Sequence, residues 1–281
     1  MPPLVEINGY QFLERIGAGA ESVIFRAKDL STGEIVAIKH VSVDNRENGK
    51  YLRHVCNEYR VLRKLAAHPE GLPDGVVEAY RLIRQGFLRR RKRYSLVMKY
   101  VDGVDLRREH RYPVGQLVEM MRQVAGILSV LHARGYIHGD LKPENMIASP
   151  TGHVTLVDFG FSCPSGSEPM SIRGTRDYMS PEQVDMGPLT EKTDIYNFGA
   201  TMYFLFGGRH APALIPQPGD NSHFIGTREW DAPSLRDSAP GLPAELDEIV
   251  LRCLRKRTFE RPSCIEEVRE TLTEVGRKYF G

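Results

Sequence analysis

The sequence contains few cysteines and no long apolar run. Its 281 residues include four cysteines, Cys56, Cys163, Cys253 and Cys264, with no CxxC pair among them. This pattern indicates neither a zinc site nor a disulfide framework and favours a reducing compartment, so we expect a cytoplasmic location. No stretch of about 18 apolar residues is present, and the first ten residues lack the basic-then-apolar plan of a signal peptide. We therefore expect no membrane segment in this chain.

Net charge is close to zero but is unevenly distributed. Residues 1–101 carry 18 Lys and Arg against 11 Asp and Glu, a net of +7, and the remainder carries 20 against 25, a net of −5. Such a split suits an anionic ligand held between the two halves, although solvated surface charge produces it as well. The run RRRKR at 89–93 lies between two strand patterns, and we interpret it as a charged hairpin turn, so no nucleic acid partner is expected.

The hydrophobic period changes near residue 102, which predicts an α+β fold. Before that point, strand patterns separated by turn residues predict an antiparallel sheet. They cover residues 12–17, 22–29, 34–43, 78–83 and 93–100. One helix interrupts them, since five apolar residues at intervals of 3 and 4 share a face: Leu52, Val55, Tyr59, Leu62 and Ala66.

The second half of the chain is predicted to be mainly helical. Leu117, Met121, Val124, Leu128 and Leu131 form a helical stripe. Residues 146–148 and 153–157 predict a small hairpin, because turn residues separate two short apolar runs. Residues 194–206 are apolar nearly all round, as expected for a helix buried in the centre of a lobe.

A glycine-rich turn and a lysine suggest a phosphate site in the first half. The turn at 17–23 lies between two strands, so it does not suit a dinucleotide-binding turn, and Gly17 and Gly19 would let backbone amides approach a phosphate chain. Alone, the pattern fits a plain hairpin equally well. Lys39 ends the strand pattern VAIK. It would either reach such phosphates or be a surface lysine of an edge strand. Glu58 borders the packed helix face and can point toward Lys39, whereas Glu47, before the stripe, is the weaker candidate.

The segment HGDLKPEN at 138–145 and the later LVDFG carry the polar groups needed for phosphoryl transfer. Asp140 would orient and deprotonate a hydroxyl, Lys142 would reach the transferring phosphate, and Asn145 would hold metal. Asp158 follows the predicted hairpin and offers a hard oxygen ligand for Mg²⁺. Each aspartate alone more often forms a turn or a cap. Together, in this order, they indicate a single catalytic constellation.

With these motifs the sequence resembles the eukaryotic-type (Hanks-type) protein kinase family from about Ile7 to Tyr279. Residues 174–182 resemble the substrate-positioning loop, and 194–199 the central helix of the C-lobe. The resemblance pairs Arg261 with Glu182. It implies the bilobal kinase fold, with an N-lobe sheet plus one helix and a mainly helical C-lobe. Residues 1–281 would be a single catalytic domain, with the N-lobe at about 1–98, the hinge at about 99–101 and the C-lobe at about 102–281.

The resemblance also implies the cofactors and the role of each site residue. ATP would bind with Mg²⁺, or alternatively Mn²⁺, in the cleft between the lobes, and its γ-phosphoryl group would pass to a Ser or Thr hydroxyl of a protein substrate. KPEN and Thr175 are the forms typical of Ser/Thr kinases. Lys39, held by Glu58, would meet the phosphates. The nucleotide contacts would come from Gly17, Gly19, Val23, Ala37, Met98, the hinge residues Lys99 to Val101, Asp105 on the ribose, and Ile147. Metal would be held by Asn145 and Asp158.

Two departures from the family leave alternative interpretations open. Gly139 stands where most members have Arg, which makes this a non-RD catalytic loop, and Ser22 replaces the third glycine of the turn. Small-molecule kinases of the aminoglycoside and choline type also use His-Gly-Asp, but they generally lack the motifs at 174–182 and 194–199 and the late arginine. A third interpretation is a pseudokinase that binds ATP or a partner without turnover. Residues 242–263 are similar to bacterial members of the family. Substrate and oligomeric state are not predicted.

Overall fold

The protein divides into two compact units. The structure is a computed structural model that describes residues 7–19, 22–43, 49–86, 92–108, 112–212, 214–215 and 232–281. The first unit comprises Met1–Leu72 and Val77–Asp102, and the second comprises Pro73–Val76 and Gly103–Gly281. A sheet with one helix forms the first unit and helices dominate the second, so the predicted α+β class is confirmed.

The first unit is a five-stranded antiparallel sheet in the order β1-β2-β3-β5-β4. Its strands are β1 (Tyr10–Ala18), β2 (Ser22–Asp29), β3 (Ile35–Val43), β4 (Ala79–Gln85) and β5 (Lys92–Lys99). All five predicted strands are present. The central strand β3 is buried along most of its length, because α1 packs against it and an apolar cluster that includes Tyr10, Ile38 and Val97 surrounds part of the sheet. Of the basic run, Lys92 and Arg93 begin β5, and the other three residues lie outside the described part of the chain.

Helix α1 (Gly49–Ala66) packs on β3, β4 and β5. Its buried residues are Leu52, Val55, Glu58, Val61, Leu62 and Leu65. Tyr59 and Ala66, which were expected on the packed face, are only partly buried, and Val61 and Leu65 lie on that face instead. The helix buries a broad stripe, and Glu58 lies within this stripe and not at its edge. The weaker candidate Glu47 lies outside the described residues.

The second unit is built on five helices within the described residues. They are α2 (Val114–Ala133), α3 (Pro181–Val184), α4 (Glu191–Gly207), α5 (Ala244–Cys253) and α6 (Ile265–Tyr279). Helix α2 packs extensively against α6 and also contacts α4. It is the one helix among the described residues whose length and composition would suit a membrane span, with 50% of that apolar window buried. We interpret α2 as a core helix, because its predicted stripe is buried against its neighbours.

Two small sheets in the second unit place the loops of the candidate site. One consists of β6 (Val104–Asp105), β8 (Met146–Ala148) and β9 (Val154–Leu156), and the other pairs β7 (Tyr136–Ile137) with β10 (Cys163–Pro164). The predicted hairpin corresponds to β8 and β9. The segment 138–145 joins β7 to β8, so both of its ends are fixed by strand pairing.

Candidate active site

The glycine turn closes the β1–β2 hairpin of the first unit. Gly17 lies opposite Ile24 in the strand register, and the Gly19 N–H donates a hydrogen bond of 2.8 Å to the Ser22 carbonyl oxygen. A Cβ atom at Gly19 would stand 2.8 Å from the Ser22 hydroxyl, so a side chain at position 19 would displace that hydroxyl. The two residues between Gly19 and Ser22 are outside the described part of the chain.

Lys39 and Glu58 form a buried ion pair within the first unit. The Lys39 ammonium donates a hydrogen bond of 2.8 Å to Glu58 Oε2. The Glu58 side chain is 0% exposed and that of Lys39 is 10% exposed. Strand β3 supplies one partner and helix α1 the other, so the pair joins the helix to the sheet. Loss of either group would leave a buried charge without its counterion.

The predicted adenine-contacting residues of the first unit lie on β2, β3 and β5. Ala37 and Met98 face each other in the β3–β5 register, and both are buried. Val23 is partly buried on β2. Lys99 is exposed at the end of β5, and its N–H donates to the Glu78 carbonyl oxygen at 2.9 Å. Val101, which follows β5, is partly buried.

Asp105 and Ile147 face each other across the β6–β8 pair of the second unit. The Asp105 carboxylate accepts hydrogen bonds from Arg108, with Oδ1 3.0 Å from the backbone nitrogen and Oδ2 3.1 Å from Nε. The Arg108 side chain is 67% exposed. A ribose hydroxyl would therefore have to compete with a surface arginine for this carboxylate.

Asp140 and Lys142 are joined in the loop between β7 and β8. Asp140 is 3% exposed, and its Oδ2 lies 3.1 Å from Lys142 Nζ. Its other oxygen, Oδ1, is buried and has no hydrogen-bond partner among the residues that the structure describes. The Lys142 ammonium also donates to the Thr175 hydroxyl at 2.7 Å, which ties the later segment to this loop. The arrangement leaves one carboxylate oxygen of Asp140 unengaged, and unengaged buried acceptors are rare enough to need an explanation.

Asn145 and Asp158 are brought close by the β8–β9 pair. The Asn145 amide nitrogen donates 2.9 Å to the Asp140 carbonyl oxygen, and the Val157 N–H donates 3.0 Å to the Asn145 carbonyl oxygen. This second bond places the residue before Asp158 beside Asn145. Asp158 has a φ of 62°, a left-handed conformation that is uncommon for a residue with a side chain. Such strain is concentrated at functional positions.

Gly139 has a φ of +76°, which accounts for a glycine in HGDLKPEN. Its N–H donates 2.8 Å to Asp194 Oδ1 and its carbonyl oxygen accepts 2.8 Å from Gln183 Nε2, so both backbone groups are fixed. A Cβ at this position would lie 3.2 Å from the Phe161 carbonyl oxygen. Glycine is the residue that adopts this conformation without the steric cost of a side chain.

Asp194 is a fully buried residue that sequence reasoning did not place in the site. Its carboxylate accepts hydrogen bonds from the His138 N–H at 2.8 Å, the Gly139 N–H at 2.8 Å and His132 Nε2 at 2.9 Å. Burial alone would raise the pKa of Asp194, but the hydrogen bond and charge of His132 hold that pKa below its ordinary value. A carboxylate opening the apolar segment 194–206 was the available signal, because buried charges need several partners.

Glu182 and Arg261 form the predicted ion pair in two parallel hydrogen bonds. Arg261 Nη1 lies 2.8 Å from Glu182 Oε1, and Nη2 lies 3.0 Å from Oε2. The remaining guanidinium hydrogens go to the carbonyl oxygens of Arg255, Lys192 and Lys256. All five donors of the buried guanidinium are therefore used. This pair anchors the segment after Thr175 to the loop between α5 and α6.

Comparison with known proteins shows that the sequence is similar to protein kinases. The chain matches the family described as the protein kinase domain over residues 10–272. It is 28% identical over 92% of its length to the serine/threonine-protein kinase PrkC of Bacillus subtilis and 30% identical over 90% to PkaA of Streptomyces coelicolor. It is also 30% identical over 90% of its length to PknL of Mycobacterium tuberculosis.

The chain spans 39%, 48% and 62% of the lengths of these three relatives. The predicted resemblance to Hanks-type kinases, including bacterial ones, is confirmed by these matches. Because the family match covers far more than half of the sequence, the chain belongs to the protein kinase domain family.

Proposed function

We propose that this chain transfers the γ-phosphoryl group of ATP to Ser or Thr hydroxyls of protein substrates. The observation that carries the proposal is the geometry at Asp140, where Lys142 holds one carboxylate oxygen and the other is buried with no hydrogen-bond partner in the described part of the chain. An oxygen in that state is suited to accept a proton from an incoming hydroxyl. The Lys142–Thr175 hydrogen bond supports Ser/Thr specificity, since it joins the first residue of KPEN to Thr175, and both features are typical of Ser/Thr kinases.

The metal-binding residues fit Mg²⁺, and Mn²⁺ would accept the same donors. The Asn145 amide nitrogen is engaged by the Asp140 carbonyl oxygen, which leaves the side-chain oxygen as the ligand atom, and Asp158 adds a carboxylate. These are hard oxygen donors. No group of three or more His, Cys, Asp or Glu suited to a metal ion occurs in the described part of the chain, so phosphate oxygens would complete the coordination. The metal would supply positive charge to the phosphate oxygens.

The first unit would bind the nucleotide. Lys39, fixed by its ion pair with Glu58, is placed to neutralise phosphate charge, and the glycine turn offers backbone N–H groups. Ala37 and Met98 offer a buried apolar surface of the kind that an adenine ring prefers.

We further propose a non-RD mode of control, one catalytic domain across residues 1–281 and a cytoplasmic location. Gly139 has no cationic side chain to bind a phosphorylated activation segment, which supports the first point. The sequence matches one family model over residues 10–272, which supports the second. All four cysteines are free, as in proteins of reducing compartments, which supports the third.

The first experiment incubates the purified protein with Mg²⁺ and γ-labelled ATP, alone and with a generic basic protein. Label should appear on Ser or Thr and be absent with Asp140→Ala, while ATP still binds that variant. Asp237→Ala, which removes an exposed carboxylate of the second unit, is the matched control and should retain full transfer.

Other outcomes distinguish the alternatives. ATP binding without any label in the wild-type protein would favour a pseudokinase and overturn the proposal. Label on an added aminoglycoside or choline, but not on protein, would favour a small-molecule phosphotransferase. The ion pair between Glu182 and Arg261 argues against that second class, because its members generally lack the late arginine.

A further inference from the structure

Helix α1 carries a row of exposed cations that have no carboxylate counterion among the described residues. Lys50, Arg53, Arg60, Arg63 and Lys64 are all exposed, and within the described residues none of them forms an ion pair with a carboxylate. The single acidic residue of the helix is Glu58, which is buried against Lys39. Four of the five cations are spaced at 3, 7 and 4 residues, so they follow one face of the helix over about 21 Å. We call these five residues, together with Arg84, the basic ridge.

Arg84 extends the basic ridge onto the sheet. It is an exposed residue of β4, and its Nη2 approaches the Cys56 sulfur at 4.0 Å. Cys56 lies between Arg53 and Arg60 on the helix surface, so the guanidinium of Arg84 joins the same face. The guanidinium carbon of Arg84 lies 5.6 Å from the centroid of the Tyr94 ring. This contact is with an aromatic ring and does not neutralise the charge of Arg84.

The basic ridge is unfavourable for the isolated helix. Cations at intervals of three and four residues, such as Arg60 with Arg63 and with Lys64, repel each other. Helix α1 has no acidic residue in its first turn, where Lys50 instead meets the positive end of the helix dipole. Helix α6 shows the favourable arrangement, with Glu266 and Glu267 in its first turn and Arg277 and Lys278 in its last. Natural sequences depart from these rules of charge spacing and helix dipole mainly where a surface has a functional role such as binding.

We propose that the basic ridge of α1 is a docking surface for an acidic segment of another protein. The complementary charges select the partner, since a row of Asp, Glu or phosphorylated side chains would supply every missing counterion. The surface is one narrow row on a convex helix, and the two aromatic rings beside it, Tyr51 and Tyr94, are partly buried and covered by the ridge cations Lys50 and Arg84. It therefore lacks the stacking platforms with which proteins hold single-stranded nucleic acid.

Docking there would also affect the Lys39–Glu58 ion pair. An acidic partner would remove the repulsion along α1 and so stabilise the helix that holds Glu58. Any resulting increase in turnover rests on the proposed kinase activity. Binding does not, so the two proposals can fail separately.

The test measures binding of a fluorescent Glu/Ala peptide of about 15 residues, long enough as a helix to cover the ridge. The variant Arg53→Ala/Arg60→Ala/Lys64→Ala should raise the Kd about tenfold. Its melting temperature should be unchanged or higher, because alanine favours helix and removes the repulsion. The control Lys28→Ala/Arg236→Ala/Arg277→Ala removes three exposed cations elsewhere and should bind like the wild-type protein.

Charge reversal provides a second arm that does not depend on loss of binding. Arg60→Glu/Lys64→Glu should bind a Lys/Ala peptide of the same length more tightly than the wild-type protein does. The proposal is overturned if the wild-type protein does not bind the Glu/Ala peptide, or if the triple variant and its control bind it equally. Tighter binding of a single-stranded oligonucleotide of equal charge through the same residues would also overturn it, in favour of a nucleic-acid surface.

Discussion

Asp194 and Gly139, 55 residues apart in sequence, are joined by a hydrogen bond of 2.8 Å from the Gly139 N–H to Asp194 Oδ1. The other oxygen of Asp194 binds the preceding N–H, that of His138. One buried carboxylate thus fixes two successive peptide groups directly before Asp140. The conformation of the candidate catalytic loop, residues 138–145, therefore depends on α4, the helix that carries Asp194.

Asp194→Asn should reduce both stability and turnover. An amide offers one acceptor oxygen where the carboxylate offers two, so a buried N–H of the loop loses its partner, at a cost of about 1–3 kcal/mol. Thermal unfolding and kcat would be measured together. Asp247→Asn is the matched control, because Asp247 also binds a hydroxyl and a backbone N–H, those of Ser234 and Leu235. That variant should lose stability but keep the kcat of its folded molecules. Equal kcat values for the two variants would contradict the positioning role.

Gly139→Ala should destabilise the protein by about 1–2 kcal/mol, because a Cβ is unfavourable at a left-handed φ. Gly126→Ala, in the middle of α2, is the control. Its new Cβ would meet only the Arg269 side chain at 3.8 Å, and alanine is the better helix former, so its stability should rise. Urea unfolding of both variants checks the opposite signs. A destabilisation common to both would point to general crowding and not to the φ angle of Gly139.

Phosphatase treatment should change the rate of phosphoryl transfer only slightly. Position 139 has no guanidinium to pair with a phosphate on the activation segment, so this charge-assisted contact cannot order the segment. The measurement compares treated protein with untreated protein, and intact mass confirms that phosphate was removed. A fall in rate of about a hundredfold would show that another cation performs the role of the missing arginine.

Arg261→Lys should cost at least about 3 kcal/mol, because an ammonium cannot replace five directed donors and Glu182 would be left partly unpaired. Arg252→Lys is the control. Its pair with Glu267 is 39% and 32% exposed, so its loss should cost less than about 1 kcal/mol. Chemical unfolding of both variants at neutral pH measures the loss of unfolding free energy in each. Equal losses would contradict the role of the buried pair.

The same pair predicts a pH dependence of stability. Burial alone would raise the pKa of Glu182, but the hydrogen bonds and charge of Arg261 hold it below its ordinary value. A lowered pKa in the folded state stabilises the protein above the unfolded pKa of about 4.3. That stabilisation is lost as the pH falls through the folded pKa. Glu182→Gln should therefore flatten the decline in unfolding free energy between neutral and acidic pH, and an unchanged slope would contradict this assignment.

The sequence predicted the strands and the core helices, because hydrophobic period is a local property. It did not predict the contacts made by Asp194 or Gln183. Both bind backbone groups of a loop more than 40 residues away, and no local pattern encodes that geometry. The φ of Gly139 likewise follows from backbone bonds at both of its peptide groups. The prediction for the buried face of α1 was wrong at Tyr59 and Ala66, which are only partly buried. The helical period alone does not decide whether a residue at the edge of an apolar stripe is buried.

The distance in sequence between Glu182 and Arg261, 79 residues, also constrains how the chain folds. The sheet of the first unit pairs strands that are all present within the first hundred residues, so it can form while the rest is still being synthesised. The segment after Thr175 cannot reach its final arrangement at that stage, because Glu182 has no guanidinium partner until Arg261 has left the ribosome. Assembly of this segment in a nascent chain is thus delayed until residue 261 has been synthesised.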